Sequence, residues 1–280
     1  MNSPVNWVGG KSRLYNEIIS IMPEHKCYVE AFAGGIWTLI NKQKTSVEVI
    51  NDVNKELINF YKVIQNDYDE MKEKFRFIIS SREIFNEYKN MTFEDINNMS
   101  KVDRAIRFLY INRCSHSGVM KNYGYTNTRR SKLCIVTDDF DEMIGSVHKR
   151  IKDVYVECGD YKEMIKRYDK KENTKEEQKV LFYFDPPYYQ TYDYEGNAVD
   201  YEELKQELSK MKSNWILSVK YSDYVRNLFN EYEILAIDVK ESIVNNKLDC
   251  DTRSELIILN YRATIIPEKM TLLKELSKNI

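Results

Sequence analysis

The chain has 280 residues, of which 42% are hydrophobic and 31% charged, and its formal net charge is −2. This length allows one large domain or two modest ones, and the composition is typical of a globular protein with a filled core. No apolar run reaches the ~18 residues of a membrane helix and the first ten residues lack a signal-peptide pattern, so we expect a cytoplasmic protein that does not contact membranes.

The five cysteines and three histidines are widely separated along the chain. No two cysteines form a Cys-x-x-Cys pair, so neither a disulfide framework nor a zinc ribbon is expected. We therefore expect reduced, mostly buried thiols and no metal cofactor.

The first motif is Gly9-Gly10-Lys11-Ser12, which follows Trp7. It imitates the end of a P-loop, but that motif needs a glycine at position 5, where the chain has Val5, and a preceding strand that is absent. Nucleotide hydrolysis is therefore excluded. We interpret Lys11, at the start of a predicted helix, as a cation for a carboxylate and Trp7 as a flat packing surface. An N-terminal helix with a chance lysine fits the pattern equally well.

The first predicted strand is Cys27–Phe32, and a glycine pair beginning at Gly34 follows it. A second strand, Val47–Ile50, ends just before Asp52. A glycine turn after a first strand lets a ligand approach the backbone, and an acid that ends the second strand can bind ribose hydroxyls. The glycines alone also fit a tight turn, but with Phe32 and Asp52 they indicate a cofactor site.

Residues 55–151 break the pattern of strands that alternate with helices. An amphipathic helix is predicted from about Asn54 to Ile64, and no convincing strand occurs before Ile151. We interpret residues 55–151 as an inserted, mainly helical subdomain. Residues 1–54 and 152–280 would then form one α/β domain.

A basic segment lies inside this insertion. From Arg104 to Thr137 the chain has seven Lys and Arg residues and no Asp or Glu, so the rest of the chain has nine more acidic than basic residues. A solvated face is the usual explanation of a charge run, but the complete absence of acids favours a surface for double-stranded DNA. Phosphate contacts are expected from Arg129, Arg130 and Lys132.

Beyond the insertion, strands and helices alternate again, which favours a mostly parallel sheet covered on both faces. Asp160 and Tyr161 follow a strand, where they are expected to meet the adenine of a cofactor. Asp200 with Glu203 predicts the start of a helix that runs to about Met211. The later strands are predicted at Val154–Cys158, Val180–Phe184, Trp215–Val219, Ile234–Val239 and Glu255–Tyr261.

Asp185-Pro186-Pro187-Tyr188 lies at the carboxyl end of the predicted strand Val180–Phe184, where open α/β sheets bind ligands. The Asp185 carboxylate and the Pro186 carbonyl can accept both hydrogens of an exocyclic amine, which directs the nitrogen lone pair at an incoming methyl group. Tyr188 can stack on a base swung out of a duplex, at about 1–3 kcal/mol per stack. The site offers no metal ligand or nucleophilic side chain, so a sulfonium donor is expected. An ordinary turn or a PPxY ligand of WW domains are the alternatives.

Together these motifs resemble the Dam-like DNA adenine methyltransferases, the D12 or α class, over nearly the whole chain. The resemblance implies a Rossmann-like fold that binds S-adenosylmethionine (SAM), with an inserted target-recognition subdomain. It implies methyl transfer to N6 of a flipped adenine in a specific double-stranded DNA sequence, with Trp7, Lys11, Asp52 and Asp185 as SAM contacts and Lys11 near the methionine carboxylate. The matching segments are Trp7–Lys11, Glu30–Gly35, Asn51–Asn54, Gly159–Tyr161, Asp185–Tyr188, Leu217–Asp223 and Arg253–Tyr261.

Two segments depart from the family pattern. Ile36 replaces the second glycine of the FxGxG loop, which is expected to reshape the loop slightly. Phe108–Arg113 matches the recognition region, but Ser117 and Lys121 stand where relatives that methylate GATC have Asn and Arg. A GATC target is therefore not implied. Residues 114–123, with Arg113 beside them, are the candidates for base contacts.

Three alternatives remain at this point. Cytosine N4 in DNA or adenine in RNA can be methylated by similar chemistry, and an inactive DNA-binding protein can keep the same frame. The set of SAM-contact residues argues against the inactive form. We expect a monomer or a weak dimer.

Overall fold

The computed structural model describes residues 1–115, 120–123, 140–169, 179–189, 199–240 and 252–274. Its backbone contacts divide the chain into two compact units, each assembled from several stretches of sequence. The helical unit consists of Met1–Ser12, Gly34–Asn41 and Asp52–Cys158. The sheet unit consists of Arg13–Ala33, Lys42–Asn51 and Gly159–Ile280.

The described elements are numbered in chain order. The helices are α1 (Tyr15–Ser20), α2 (Trp37–Asn41), α3 (Lys55–Asn66), α4 (Tyr68–Phe75), α5 (Arg82–Asn90), α6 (Phe93–Asn98), α7 (Lys101–Cys114), α8 (Ser146–Ile151), α9 (Tyr161–Tyr168), α10 (Tyr201–Lys210) and α11 (Asp223–Leu228). A π-helical turn, Asp141–Gly145, leads into α8. The strands are β1 (Cys27–Glu30), β2 (Val47–Asn51), β3 (Tyr155–Glu157), β4 (Val180–Phe184), β5 (Asn214–Lys220), β6 (Glu233–Lys240), β7 (Thr252–Leu259) and β8 (Met270–Lys274).

Helix α7 is the centre of the helical unit, where α3, α4 and α5 pack against it. Ten of its fourteen residues are buried, including Phe108 and Leu109. A helix that is apolar on most sides is stable only when other helices cover it. Helices α3, α4 and α5 thus supply the apolar cover that α7 needs.

Polar residues begin most helices of this unit. The Asn54 side chain accepts hydrogen bonds from two backbone N–H groups at the start of α3, and Ser81 does the same for α5. At α6, Thr92 and Asp95 form a reciprocal capping box. Such caps satisfy N–H groups that have no partner within the helix, and each contributes about 0.5–2 kcal/mol.

The described residues of the sheet unit form seven strands in the order β2-β1-β4-β5-β7-β6-β8. Strands β2, β1, β4 and β5 are parallel, whereas β7 runs antiparallel to both β5 and β6. The register pairs Val29 of β1 with Phe182 of β4, and Phe182 with Trp215 of β5. All five residues of β4 are buried, as its uninterrupted apolar run VLFYF predicts for a central parallel strand.

The predicted α/β class with a mostly parallel, Rossmann-like sheet is confirmed. The structure ends β1 two residues earlier than predicted, at Glu30, and starts β7 three residues earlier than predicted, at Thr252. Strand β8 and the short helices α9 and α11 were not predicted. In the described part of residues 55–151 the chain forms α3 to α8 and one isolated bridge, Ser115 to Tyr123. The domain boundaries and the recognition role of this region stay predictions.

Among the described helices, none is both long enough and apolar enough to cross a bilayer.

Candidate active-site residues

The glycine loop after β1 packs against Trp7 in the helical unit. Gly34 has φ +43°, and a Cβ atom on it would lie 2.7 Å from Nε1 of the Trp7 indole. A side chain here would meet both a left-handed backbone and a ring that occupies its space. The structure thus brings together two predicted cofactor residues, and glycine is required for their contact.

Asp52 holds the same loop through its carboxylate. Its Oδ2 accepts a hydrogen bond from the Gly34 N–H at 3.1 Å, and its Oδ1 accepts one from the Asn54 N–H at 2.9 Å. On the other side of the peptide, the Tyr61 hydroxyl donates to the Gly34 carbonyl at 2.6 Å. Both polar groups of Gly34 are fixed, so the loop conformation is determined by side chains outside it.

The pKa of Asp52 is raised above the ordinary value of a carboxyl group. Burial is the main cause, since it penalises the charged form, and hydrogen bonds from the backbone of Asn54, Gly34 and Val53 offset part of it. A partly buried carboxylate with a raised pKa is a good acceptor for a hydroxyl donor, since little water competes for it.

Ile36 adopts a backbone conformation that ordinarily requires glycine. Its φ is +46°, and its side chain is only 1% exposed. A β-branched residue is strained in this region by about 1–2 kcal/mol. At the position of the second motif glycine, the loop therefore has an isoleucine in a left-handed backbone conformation. Packing of the buried side chain compensates for the backbone strain.

Lys11 precedes α1, which begins at Tyr15, so the expectation that it starts a helix was wrong. Its side chain is 3% exposed, and its Nζ donates to the Gly9 carbonyl at 2.9 Å. The segment is anchored by Asn112 of α7, which is fully buried and exchanges two hydrogen bonds with the Asn6 backbone, at 2.8 and 2.7 Å. A buried ammonium group on an anchored segment is suited to binding an anion.

In the sheet unit, Asn51 at the end of β2 connects two chain segments. Its Nδ2 donates to the carbonyls of Ala31 at 3.0 Å and Gly159 at 2.9 Å. Its Oδ1 is buried and has no hydrogen-bond partner among the described residues. Asp160 follows as the N-cap of α9, where its exposed carboxylate accepts from the Lys162 N–H at 2.8 Å.

Aromatic rings surround Phe32 in this unit. Phe32 stacks on Tyr161 with ring centroids 5.5 Å apart, and it meets Phe184 edge-on at 6.4 Å. Phe32 follows β1, Tyr161 follows β3 and Phe184 is the last residue of β4. Side chains from the carboxyl ends of three strands thus meet here. The Tyr161 hydroxyl is buried without a partner in the described structure, and burial raises its pKa above the usual range.

The segment Asp185–Tyr188 leaves β4 and is held by two side chains from other elements. The Tyr201 hydroxyl of α10 donates to the Pro187 carbonyl at 3.0 Å. The Tyr188 hydroxyl donates to Oε1 of Glu255 in β7. Asp185 is partly buried and Pro186 is buried. The segment is therefore a supported part of the sheet unit, which argues against an exposed peptide ligand.

The predicted DNA contacts are described only in part. Arg113 is half-buried at the end of α7, and Lys121 is exposed with its carbonyl bonded to the Lys89 ammonium group. Two other basic residues of the segment serve the fold, since Arg104 pairs with Glu56 and Arg107 is mostly buried. The remaining candidates lie outside the described residues: Ser117, Arg129, Arg130 and Lys132.

Five residues that were not predicted as site residues support these candidates. Asn112 was detectable as a polar residue within an apolar helix, and Asn51 as the residue before the predicted acid. The other three had no local signal. They are Tyr61, Tyr201 and Glu255.

No group of three or more His, Cys, Asp or Glu side chains that could hold a metal ion occurs in the described parts of the chain. The cysteines among them, Cys27, Cys114 and Cys158, are free thiols, and Cys158 is exposed.

Comparison with known proteins gives a consistent result. The model of the D12 class N6 adenine-specific DNA methyltransferases matches residues 7–243. The chain is 26% identical to the type II methyltransferase M.MjaIII of Methanocaldococcus jannaschii, over 92% of this chain and 98% of that protein. It is 25% identical to the type II methyltransferase M1.LlaDCHI of Lactococcus lactis subsp. cremoris, over 91% and 94%. A DNA adenine methylase of Salmonella typhi is 26% identical over 66% of this chain and 64% of that protein.

Proposed function

The chain belongs to the D12 class of N6 adenine-specific DNA methyltransferases, and we propose that it transfers a methyl group from SAM to a flipped adenine in a specific double-stranded DNA sequence. The observation that carries this proposal is the supported Asp185–Tyr188 segment at the carboxyl end of β4. This segment supplies two hydrogen-bond acceptors, Asp185 and Pro186, and one aromatic ring, Tyr188, which are the groups that such a reaction needs.

The cofactor proposal is supported by features of each unit. In the helical unit, the Gly34 loop has no room for a side chain and is fixed by Asp52 and Tyr61. In the sheet unit, Asn51 Oδ1 and the Tyr161 hydroxyl are buried polar atoms that lack a partner among the described residues, and such atoms suit a polar ligand. The residues present therefore fit a nucleoside cofactor.

Each candidate has a role that its chemistry allows. Asp52 would accept hydrogen bonds from ribose hydroxyls, and Lys11 would bind the methionine carboxylate. Trp7, Phe32, Gly34, Asp160, Tyr161 and Asp185 are the further proposed contacts. When bound, SAM supplies an electrophilic methyl group.

The acceptor groups act on the amine of the target base. The Asp185 carboxylate and the Pro186 carbonyl would accept its two hydrogens, which localises the nitrogen lone pair. The Pro187 carbonyl already accepts from Tyr201, so this bond fixes the backbone next to the acceptors. Tyr188 would stack on the base, which must leave the duplex to reach any of these groups.

The DNA contacts are proposed from sequence. Arg113, Ser117 and Lys121 are the candidates for base contacts, and Arg129, Arg130 and Lys132 for phosphates. A protein of this class that modifies one sequence needs both kinds of contact, since phosphates position the protein and base edges specify the site.

The test is transfer of a labelled methyl group from SAM to unmethylated duplex DNA. The wild-type protein is expected to label DNA, and Asp185→Asn to label it at least a hundredfold more slowly, since the amide cannot replace a charged acceptor. Asp69→Asn, an exposed acid on α4, is the matched control and should retain full activity. Equal labelling by Asp185→Asn, or none by the wild type, would contradict the proposal.

A further inference from the structure

Glu255 is a buried acidic residue on β7, beside the end of β5. In the register of the sheet, it lies opposite Lys220, the last residue of β5, and opposite Ile237 of β6. It is 9% exposed. A carboxylate in this position is costly unless a polar group compensates it. An apolar residue would suit the packing better, so the acid needs another explanation.

The partner of Glu255 is the tyrosine of the Asp185–Tyr188 segment. The Tyr188 hydroxyl donates to Oε1 of Glu255, across 67 residues of sequence. Oε2 is also buried, and no described residue donates a hydrogen bond to it. The hydrogen bond from Tyr188 thus compensates this carboxylate in the described structure.

The next residue, Tyr189, is held in a different way. Its ring stacks on Tyr224 with centroids 4.5 Å apart and meets Tyr201 edge-on at 5.7 Å. Neighbouring rings fix Tyr189, whereas the hydroxyl end of Tyr188 is fixed by a hydrogen bond.

We propose that Glu255 is a positioning residue, which holds the Tyr188 ring in place through the phenol hydroxyl so that it is ready to stack on the target base. The proposal rests on the function proposed above. Fixing the far end of the ring removes rotational freedom before the base arrives, so less entropy is lost when the base stacks. Donation to a carboxylate also makes the ring more electron-rich, which favours the positive charge that develops on the methylated amine.

The test is a double-mutant cycle between the two side chains. Glu255→Leu removes the acceptor while filling the buried volume, and Tyr188→Phe removes the donor while keeping the ring. Each is expected to slow single-turnover methyl transfer about tenfold at saturating SAM and DNA. The double variant should be no slower than Tyr188→Phe, because the two residues act through one bond. Glu255→Gln keeps an acceptor and should recover most of the rate.

Two further measurements separate positioning from general damage. SAM affinity by calorimetry and the unfolding midpoint should be close to wild type in Glu255→Gln. The proposal is overturned if Glu255→Leu transfers as fast as wild type, or slows the Tyr188→Phe background by the same factor as the wild-type background. If the wild type itself transfers no methyl group to adenine, the proposed function fails first and the role of Glu255 fails with it.

Discussion

Replacing Asp52 by asparagine tests whether this carboxylate holds the glycine loop. The two carboxylate oxygens accept hydrogen bonds from the Gly34 and Asn54 N–H groups, at 3.1 and 2.9 Å. An amide has one acceptor oxygen, so one of the two N–H groups would face an NH2 donor. A hydrogen bond to a charged group contributes about 1.5–3 kcal/mol, and removal of the buried charge offsets part of this contribution. We therefore expect the free energy of unfolding to fall by about 1–2 kcal/mol.

Asp160→Asn is the matched control for this substitution. Asp160 is exposed and accepts one backbone N–H at the start of α9, a position where asparagine caps as well as aspartate. Its unfolding free energy in urea should change by less than about 0.5 kcal/mol. Equal unfolding free energies for Asp52→Asn and Asp160→Asn would refute the account of the loop.

Three other predictions concern the cofactor, the loop and DNA. Burial raises the pKa of Asp52, so SAM affinity measured by calorimetry should be full above that pKa and should fall as the pH drops through it. The fall should occur at a higher pH than an ordinary carboxyl group would give. The Asp52→Asn variant should lack this pH dependence, and a pH profile shared by the variant and the wild type would contradict the prediction. Ile36→Gly relieves about 1–2 kcal/mol of backbone strain but removes a buried side chain worth about 2–5 kcal/mol, so it should lower the unfolding free energy; a more stable variant would show that the side chain is not packed. Neutralising Arg129, Arg130 or Lys132 should weaken all DNA sequences alike and flatten the salt dependence of binding by about one unit of slope per contact, whereas an effect on one sequence alone would make these residues base readers.

The sequence predicted the elements whose signals are local. Strand β4 agrees with its prediction at both ends, since an apolar run bounded by polar residues gives clear limits. The start of α10 was also correct, because Asp200 caps the helix through its side chain. Strand β8 was missed because its short segment, MTLLK, becomes a strand only by pairing with β6.

The candidate residues divide in the same way. The contact of Gly34 with Asp52 was foreseeable, since each ends a recognisable strand-and-turn signal. The bond between Tyr188 and Glu255 was not, because neither residue carries a local sign of a partner 67 positions away. At Ile36 the sequence departs from the glycine pattern, yet the residue still has a positive φ, which glycine adopts more easily. Local patterns predict which residues lie at the ends of strands, whereas tertiary packing determines which side chains hold them in place.

Methylation of adenine N6 in duplex DNA can be tested on its product. The most direct measurement is mass spectrometry of nucleosides from duplex DNA that was incubated with the protein and SAM, then digested. We expect N6-methyladenine as the product, in amounts that depend on Asp185. Methylated cytosine, modification of RNA but not of DNA, or N6-methyladenine formed equally by Asp185→Asn would contradict it.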